Sequence, residues 1–303
     1  MRRRPEKTLE KIACIWPGVS VHLYKDAASR RPNSADWDFS KPLQQNKREP
    51  TSQPRLALLA AYFGPLPPWI DNYIETCKYN PMVDWFIFID DRLPANSAIN
   101  VHFRQITLAQ FNARATERLK LPIAVNWGYK LCDFKPLYGL LFSDELAGFE
   151  FWGHCDLDIA WGRVRQFLTD PLLAAYDVIS CDPRRLCGPL TLFRNSGFIR
   201  NLPWRADLTD ILCDDRHRGF DEIEFDLIVK AAAANGELRL LLARGHEWER
   251  QFADNVGDRG CAWHDGRLFS LATRNEIAFF HFYWSKQWAW KTTWQSSAKG
   301  AVG

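Results

Sequence analysis

The sequence predicts an α/β domain: a mostly parallel sheet flanked by helices. Three observations carry that prediction. Short apolar runs alternate with helical patterns along the chain, proline, glycine and asparagine mark the joins, and acidic residues stand where two of the apolar runs stop. The 303 residues suffice for one large α/β domain or two modest ones. Hydrophobic residues make up 47% and aromatic residues 14%, which supports a sizeable core, and the 14 Trp and 20 Phe exceed what a core needs. Some of those rings are therefore expected in a pocket wall, where flat faces suit sugar or base rings. A net charge of +3 is too small to argue for duplex DNA, and no nucleic-acid partner is expected.

The elements follow in chain order. KIACIWPGVSVHLY is broken by Pro17 and Gly18, a poor fit to a secretory signal. Residues 25–55 are rich in Ser, Pro, Asn, Gln and charge and bury too little apolar surface to order themselves, so 1–54 reads as a flexible or weakly structured extension. The folded domain, 55–303, begins at Arg55. Residues 56–63 read as a buried strand that Gly64-Pro65 ends. Pro67-Pro68 precede a helix whose apolar face is Ile70, Tyr73, Ile74 and Cys77, and Asn80-Pro81 close it. Residues 83–89 are a second buried strand ending in Asp90-Asp91. A strand over 99–106, a helix over 108–119 and a long helix over 126–148, broken near Pro136, come next. Farther on, 177–181, 189–193 and 237–243 read as strands, 225–234 as a helix stopped by Asn235-Gly236, and 277–283 as a last apolar run.

The chemistry concentrates in FWGHCDLDIAWG, residues 151–162. An aromatic-rich strand stops at Asp156-Leu157-Asp158, and residues two apart on extended backbone point to the same side. Two carboxylates so placed repel unless a proton or cation lies between them. A hard divalent ion with oxygen ligands fits, Mn²⁺ or Mg²⁺ above all, and open α/β sheets carry their sites beyond the carboxyl ends of strands. The eight cysteines contain no C-x-x-C pair and several sit inside apolar runs, which argues for packed thiols in a reduced cytosol rather than a zinc site or disulfide framework. No apolar run reaches the roughly twenty residues a membrane helix needs.

The order AAYFGPLPPWIDNYIETCKYNP, FIFIDD, YKLCDFKPLYG, FWGHCDLDIAWG, GPLTLFRN resembles the GT-A class of nucleotide-sugar glycosyltransferases, and more closely a bacterial family associated with polysaccharide and capsule biosynthesis. The likeness covers roughly 55–200 well and the rest loosely. It implies a GT-A-like, Rossmann-related sheet with a D-x-D metal motif at a strand end, a nucleotide-binding half over 55–162, and an acceptor-binding half with a C-terminal lid over 163–303. It places the nucleotide on Ala61, Tyr62, Phe63 and Gly64, with Asp90 at the base or ribose, and assigns Lys130, Asp133 and Lys135 to diphosphate and ribose. Asp156 and Asp158 become metal ligands. His281 is a further ligand from FFHFYWSK, and Lys286 a diphosphate clamp. Asp221 and Glu222, at a helix start, are the acids for the acceptor hydroxyl, and Arg194 and Asn195 are candidates for holding sugar hydroxyls.

The implied activity is metal-dependent transfer of a sugar from a nucleoside-diphosphate sugar, UDP-linked by preference, to a saccharide or lipid-linked saccharide acceptor in bacterial surface polysaccharide synthesis. The interleaved Trp and Lys of KQWAWKTTWQ, 286–295, suit either a lid over the donor or a lipid headgroup region. The expected location is thus the cytoplasm, with peripheral contact at the inner face of the cell membrane. Two other classes compete. A haloacid-dehalogenase-type phosphatase also uses D-x-D after a strand, but normally on the first strand, with a Thr or similar residue where Ala160 stands here. A non-catalytic carbohydrate-binding or assembly protein would use the rings alone, without binding a nucleotide sugar through a metal.

Overall fold

The computed structural model describes residues 54–243, 261–270 and 274–282, together with the backbone of His22–Tyr24. In chain order its strands are β1 (His22–Tyr24), β2 (Leu56–Tyr62), β3 (Val83–Ile89), β4 (Val101–Gln105), β5 (Phe151–Cys155), β6 (Ile159–Trp161), β7 (Val178–Ser180), β8 (Leu190–Arg194), β9 (Leu240–Leu242), β10 (Cys261–His264), β11 (Arg267–Ser270) and β12 (Phe279–His281). The helices are α1 (Ile70–Lys78), α2 (Leu108–Leu119), α3 (Tyr138–Leu141), α4 (Val164–Phe167), α5 (Asp170–Ala175), α6 (Gly197–Asn201), α7 (Leu208–Leu212) and α8 (Glu224–Ala234).

Seven strands form the central sheet in the order β4-β3-β2-β5-β8-β7-β9. Alternation along them builds two cores. Leu56, Leu58 and Ala60 of β2 and Trp85, Ile87 and Ile89 of β3 pack under α1. Ala57 and Leu59 of β2 and Phe86 and Phe88 of β3 meet α2, the segment that follows it, and α8. Burial on both faces explains why these strands read as nearly continuous apolar runs, broken in β3 only by Asp84. Neighbouring strands are parallel except around β8, which runs antiparallel to β5 and to β7. The α/β class and the mostly parallel sheet are therefore as predicted, with one reversed strand that the apolar pattern does not encode.

Two further differences bear on the site. The expected long helix over 126–148 is instead a run of 3₁₀ turns, Gly128–Leu137, followed by the short α3. Pro136 supplies no amide hydrogen for an α-helical bond. In addition, Lys130, Leu131 and Asp133 to Leu137 are all buried, so the segment lacks the solvent face of a long amphipathic helix. The second difference is a strand the sequence reading missed. After Asp158 the chain re-enters extended backbone as β6, which pairs antiparallel with β12 in the register His281↔Ile159. Asp156 and Asp158 thus lie at the step between two strands, with His281 alongside. Part of the N-terminal extension also meets the domain, as β1 pairs parallel with β10; the rest of it lies outside the described residues.

Asn80 fixes β6 against α1. Its Nδ2 donates to Gly162 O at 2.8 Å and to Thr76 O at 3.3 Å, and its Oδ1 accepts from Val164 N at 2.8 Å. Replacing Asn80 by Ala strands buried backbone groups at a cost of about 1–3 kcal/mol each. Asn80→Ala is expected to lower the urea midpoint clearly with little change in slope; an unchanged midpoint would remove this tie from the account.

Candidate active site

A cavity of about 850 Å³ opens at the carboxyl edge of the parallel strands. The ends of β2 and β5 form its floor. Residues 128–138 and the 185–189 and 217–223 segments form its walls, and His281 closes one side. Because β8 runs backwards, its start lies beside the end of β5, in the register Cys155↔Leu190. That reversal brings Gly188 and Pro189 to Asp156, whose amide donates to Pro189 O at 3.3 Å.

Asp156, Asp158 and His281 each offer a ligand atom, and these atoms all lie within 4.8 Å of one another. His281 Nε2 is 3.3 Å from Asp158 Oδ1 and 3.6 Å from Asp156 Oδ2. Two carboxylate oxygens and an imidazole nitrogen, with Asp158 and His281 buried and Asp156 partly exposed to the cavity, are a donor set that suits Mn²⁺, and Mg²⁺ less well because of the nitrogen. The backbone around them is held. Trp69 Nε1 donates to Leu157 O at 2.8 Å, and Phe282 N donates to Asp158 O at 2.8 Å.

Asp156 divides its two oxygens. Oδ2 faces His281, while Oδ1 accepts from Lys135 Nζ at 2.7 Å. Lys135 also donates to Gly188 O at 2.9 Å and lies 3.8 Å from Asp221 Oδ2. Burial pulls the Lys135 ammonium down, but Asp156, Cys132 and Asp221 more than offset it and hold the pKa well above the ordinary value. Asp221 is pushed up to about 7, first by burial and then by Glu222 and Asp156, against the pull of Lys135. Glu222 accepts from Gly188 N at 2.7 Å and pairs with Arg185 at 3.1 Å. His154 stands behind this wall, with Nδ1 donating to Gly188 O at 3.0 Å. Burial and the nearby Lys135 hold it well below the usual imidazole pKa, so it is neutral. Gly188 is the hinge of these contacts. A Cβ there would fall 2.7 Å from Glu222 Oε1 and 3.2 Å from Asp221 Oδ2.

The predicted site residues do not all meet. Ala61, Tyr62, Phe63, Lys135, Asp156, Asp158, Asp221, Glu222 and His281 line one cavity. Gly64 and Asp90 do not; Asp90 Oδ1 accepts from Gly64 N at 2.7 Å and holds the turn in which Gly64 adopts φ +114°. Lys130 and Asp133 form no part of the lining either. Both are fully buried, 3.0 Å apart, behind the wall. Lys130 Nζ donates to Ile211 O and Arg216 O, and Asp133 accepts from the amides of Arg218 and Phe220 at 2.9 Å each. This pair positions the loop that delivers Asp221 and Glu222 rather than meeting a diphosphate.

Arg194 and Asn195 correct the expectation most sharply. They end the reversed strand, beside Phe151 at the start of β5, on the edge of the sheet opposite the cavity. There Arg194 bonds Asp177, Leu173 O and Tyr176 O, and Asn195 Nδ2 bonds Leu146 O and Phe149 O. Lys286 lies outside the described residues. Sequence reasoning missed Tyr129, Arg185, Gly188 and His217, which also line the cavity. Of these, only Tyr129 and Gly188 fall in quoted motifs, as the first residues of YKLCDFKPLYG and GPLTLFRN.

Residues 58–295 match the model of a family of unknown function, DUF6625. The chain belongs to that family. No curated protein matches it in sequence. Among solved structures it is similar to mouse xyloside xylosyltransferase 1, with 9% identity over 75% of this chain and 96% of that one and a TM-score of 0.41. An active-site mutant of LgtC shares 9% identity over 75% and 86%, with a TM-score of 0.37. The glycosyltransferase GlyE of Streptococcus pneumoniae TIGR4 shares 12% over 63% and 45%, with a TM-score of 0.33. Likeness at this level transfers neither activity nor residue roles to the DUF6625 chain.

Two outcomes test this geometry. In chelator and without nucleotide, folded Asp221 keeps between pH 4 and about 7 a proton that the unfolded chain has released, so stability falls as pH rises through that window. Asp221→Asn is therefore expected to be more stable than the parent above pH 7, on the order of 1–3 kcal/mol, and equal to it near pH 4. Parallel stability–pH curves in urea would contradict the buried, proton-retaining Asp221. Separately, Lys130→Met removes the donor to two carbonyls, one of them buried, and leaves Asp133 as a buried charge, so a loss of about 3–5 kcal/mol is expected by chemical denaturation. A loss within 0.5 kcal/mol would place Lys130 at the surface instead.

Proposed function

We propose that this protein is a metal-dependent glycosyltransferase, moving a sugar from a nucleoside-diphosphate sugar to a saccharide or lipid-linked saccharide acceptor. The observation that carries the reading is the convergence of Asp156, Asp158 and His281 at the wall of a cavity large enough for a nucleotide sugar. Asp156, Asp158 and His281 would hold Mn²⁺ or Mg²⁺, which when bound neutralises the diphosphate that leaves as the sugar is transferred. Tyr62 and Phe63 offer ring faces at the end of β2 for the nucleotide base. Lys135 fixes Asp156 through Oδ1 and adds a positive charge beside the position of the diphosphate.

In the transfer, the bond from the anomeric carbon to the phosphate oxygen breaks and a bond from that carbon to the acceptor oxygen forms. The acceptor hydroxyl gives up its proton, and Asp221 is the residue we assign to receive it. It lies within the cavity wall, and a carboxyl whose pKa lies near neutrality exchanges a proton readily at working pH. Glu222 keeps the wall in shape through Gly188 and Arg185. The domain over 55–303 would act as one catalytic unit in bacterial surface polysaccharide synthesis, at the cytoplasmic face of the membrane. The family resemblance and the Trp- and Lys-rich tail over 286–295 support that setting.

A panel of nucleotide sugars, assayed with Mn²⁺ for release of the nucleoside diphosphate, tests the reading. At least one donor is expected to turn over, and Asp158→Asn to reduce the rate by roughly 10²-fold or more. Turnover that persists in chelator and in Asp158→Asn would overturn the metal-dependent mechanism. Hydrolysis of simple phosphate monoesters with no sugar transfer would point to a phosphatase.

A further inference from the structure

Beside the cavity, two cysteines lie closer than two packed thiols rest. Cys181 Sγ and Cys187 Sγ are 2.8 Å apart and both are buried. A disulfide bond is about 2.05 Å, so the approach leaves less than an ångström to close. The backbone between them is pinned on both sides. Ser180 Oγ donates to Arg185 O at 2.9 Å, Leu186 N donates to Asp226 Oδ1 at 2.8 Å, and Thr191 Oγ1 accepts from Cys187 N and donates to Cys187 O. The segment they bracket carries Arg185 into the cavity, and Gly188 follows directly, with its carbonyl on Lys135 and His154 and its amide on Glu222.

We propose that Cys181 and Cys187 are a reversible oxidation site, closing a disulfide that locks the 182–186 segment into the cavity wall. The oxidant is a small peroxide, the class able to reach thiols this enclosed. The thiolate of one cysteine attacks a peroxide oxygen, the O–O bond breaks, and a sulfenic acid and water form. The second thiol then attacks the sulfenic sulfur. The S–S bond forms, and the sulfenic oxygen leaves as water with the remaining protons. In sum, two thiols and hydrogen peroxide give one disulfide and two waters, the two electrons passing from sulfur to oxygen. A dithiol reverses the step by thiol–disulfide exchange. The C-x5-C spacing matches no metal or redox motif, so the sequence reads these two residues only as packed thiols.

The test uses the full chain and does not depend on the reaction catalysed. Native protein is treated with hydrogen peroxide, alkylated, and digested without reductant. Trypsin cuts at Arg184 and Arg185, between the two cysteines, so the disulfide is expected to join two peptides that separate on adding dithiothreitol. Cys187→Ser is expected to abolish the joined species, and amide exchange over 182–188 to slow in the oxidised protein and recover on reduction. Alkylation of both cysteines after peroxide, their appearance as sulfinic or sulfonic acids, or a link to a different cysteine would overturn the site. A disulfide with unchanged exchange would overturn the locking.

Discussion

The structure around the cavity depends on one electrostatic constraint. Asp156, Asp158 and Asp221 are brought into one wall, Asp158 and Asp221 buried and Asp156 partly exposed to the cavity, and Lys135 meets two of the three, at 2.7 and 3.8 Å. A single ammonium cannot balance three carboxylates. One part of the imbalance is resolved by proton retention at Asp221, whose pKa is pushed up to about 7. The other part rests on the side of Asp156 away from Lys135, where Asp158 and His281 complete a set of ligand atoms. The division of Asp156 between its two oxygens would let the lysine and a cation act together rather than compete.

The topology explains how residues far apart in sequence reach this wall. Parallel strands deliver the ends of β2 and β5 to the same edge. The reversal of β8 then supplies the 185–189 segment, because an antiparallel neighbour begins where β5 ends. Its cost is that the far end of β8 carries Arg194 and Asn195 away from the chemistry. The third contribution comes through β6, whose pairing with β12 fixes His281 opposite Ile159. Behind these, the buried Lys130–Asp133 pair ties down the loop that ends in Asp221 and Glu222.

Much of this was legible in the sequence, and the gaps have physical causes. The buried strands β2, β3 and β5, and helix α2, announce themselves by composition and periodicity, and Asp156 and Asp158 by an abrupt change from apolar to acidic. Strand direction is different. An apolar run packs equally well either way, so β8 was placed correctly while the site roles of Arg194 and Asn195 were not. Spacing shows that Lys130 and Asp133 can pair, but not whether the pair faces water, ligand or, as here, the interior. Arg185 belongs to no motif, and Gly188 opens GPLTLFRN without showing there that it touches the site; folding sets it where a Cβ would fall 2.7 Å from Glu222 Oε1. His281 came from resemblance alone, since a histidine among aromatic residues is otherwise read as packing.

The measurement that bears most directly on the central claim is anomalous diffraction from crystals grown with Mn²⁺ and uridine diphosphate. The account predicts one strong peak bounded by Asp156, Asp158 and His281, with Lys135 still on the other oxygen of Asp156 and the diphosphate on the cavity side of the ion. A peak elsewhere, or nucleotide bound in the cavity with no ion at these three residues, would contradict it.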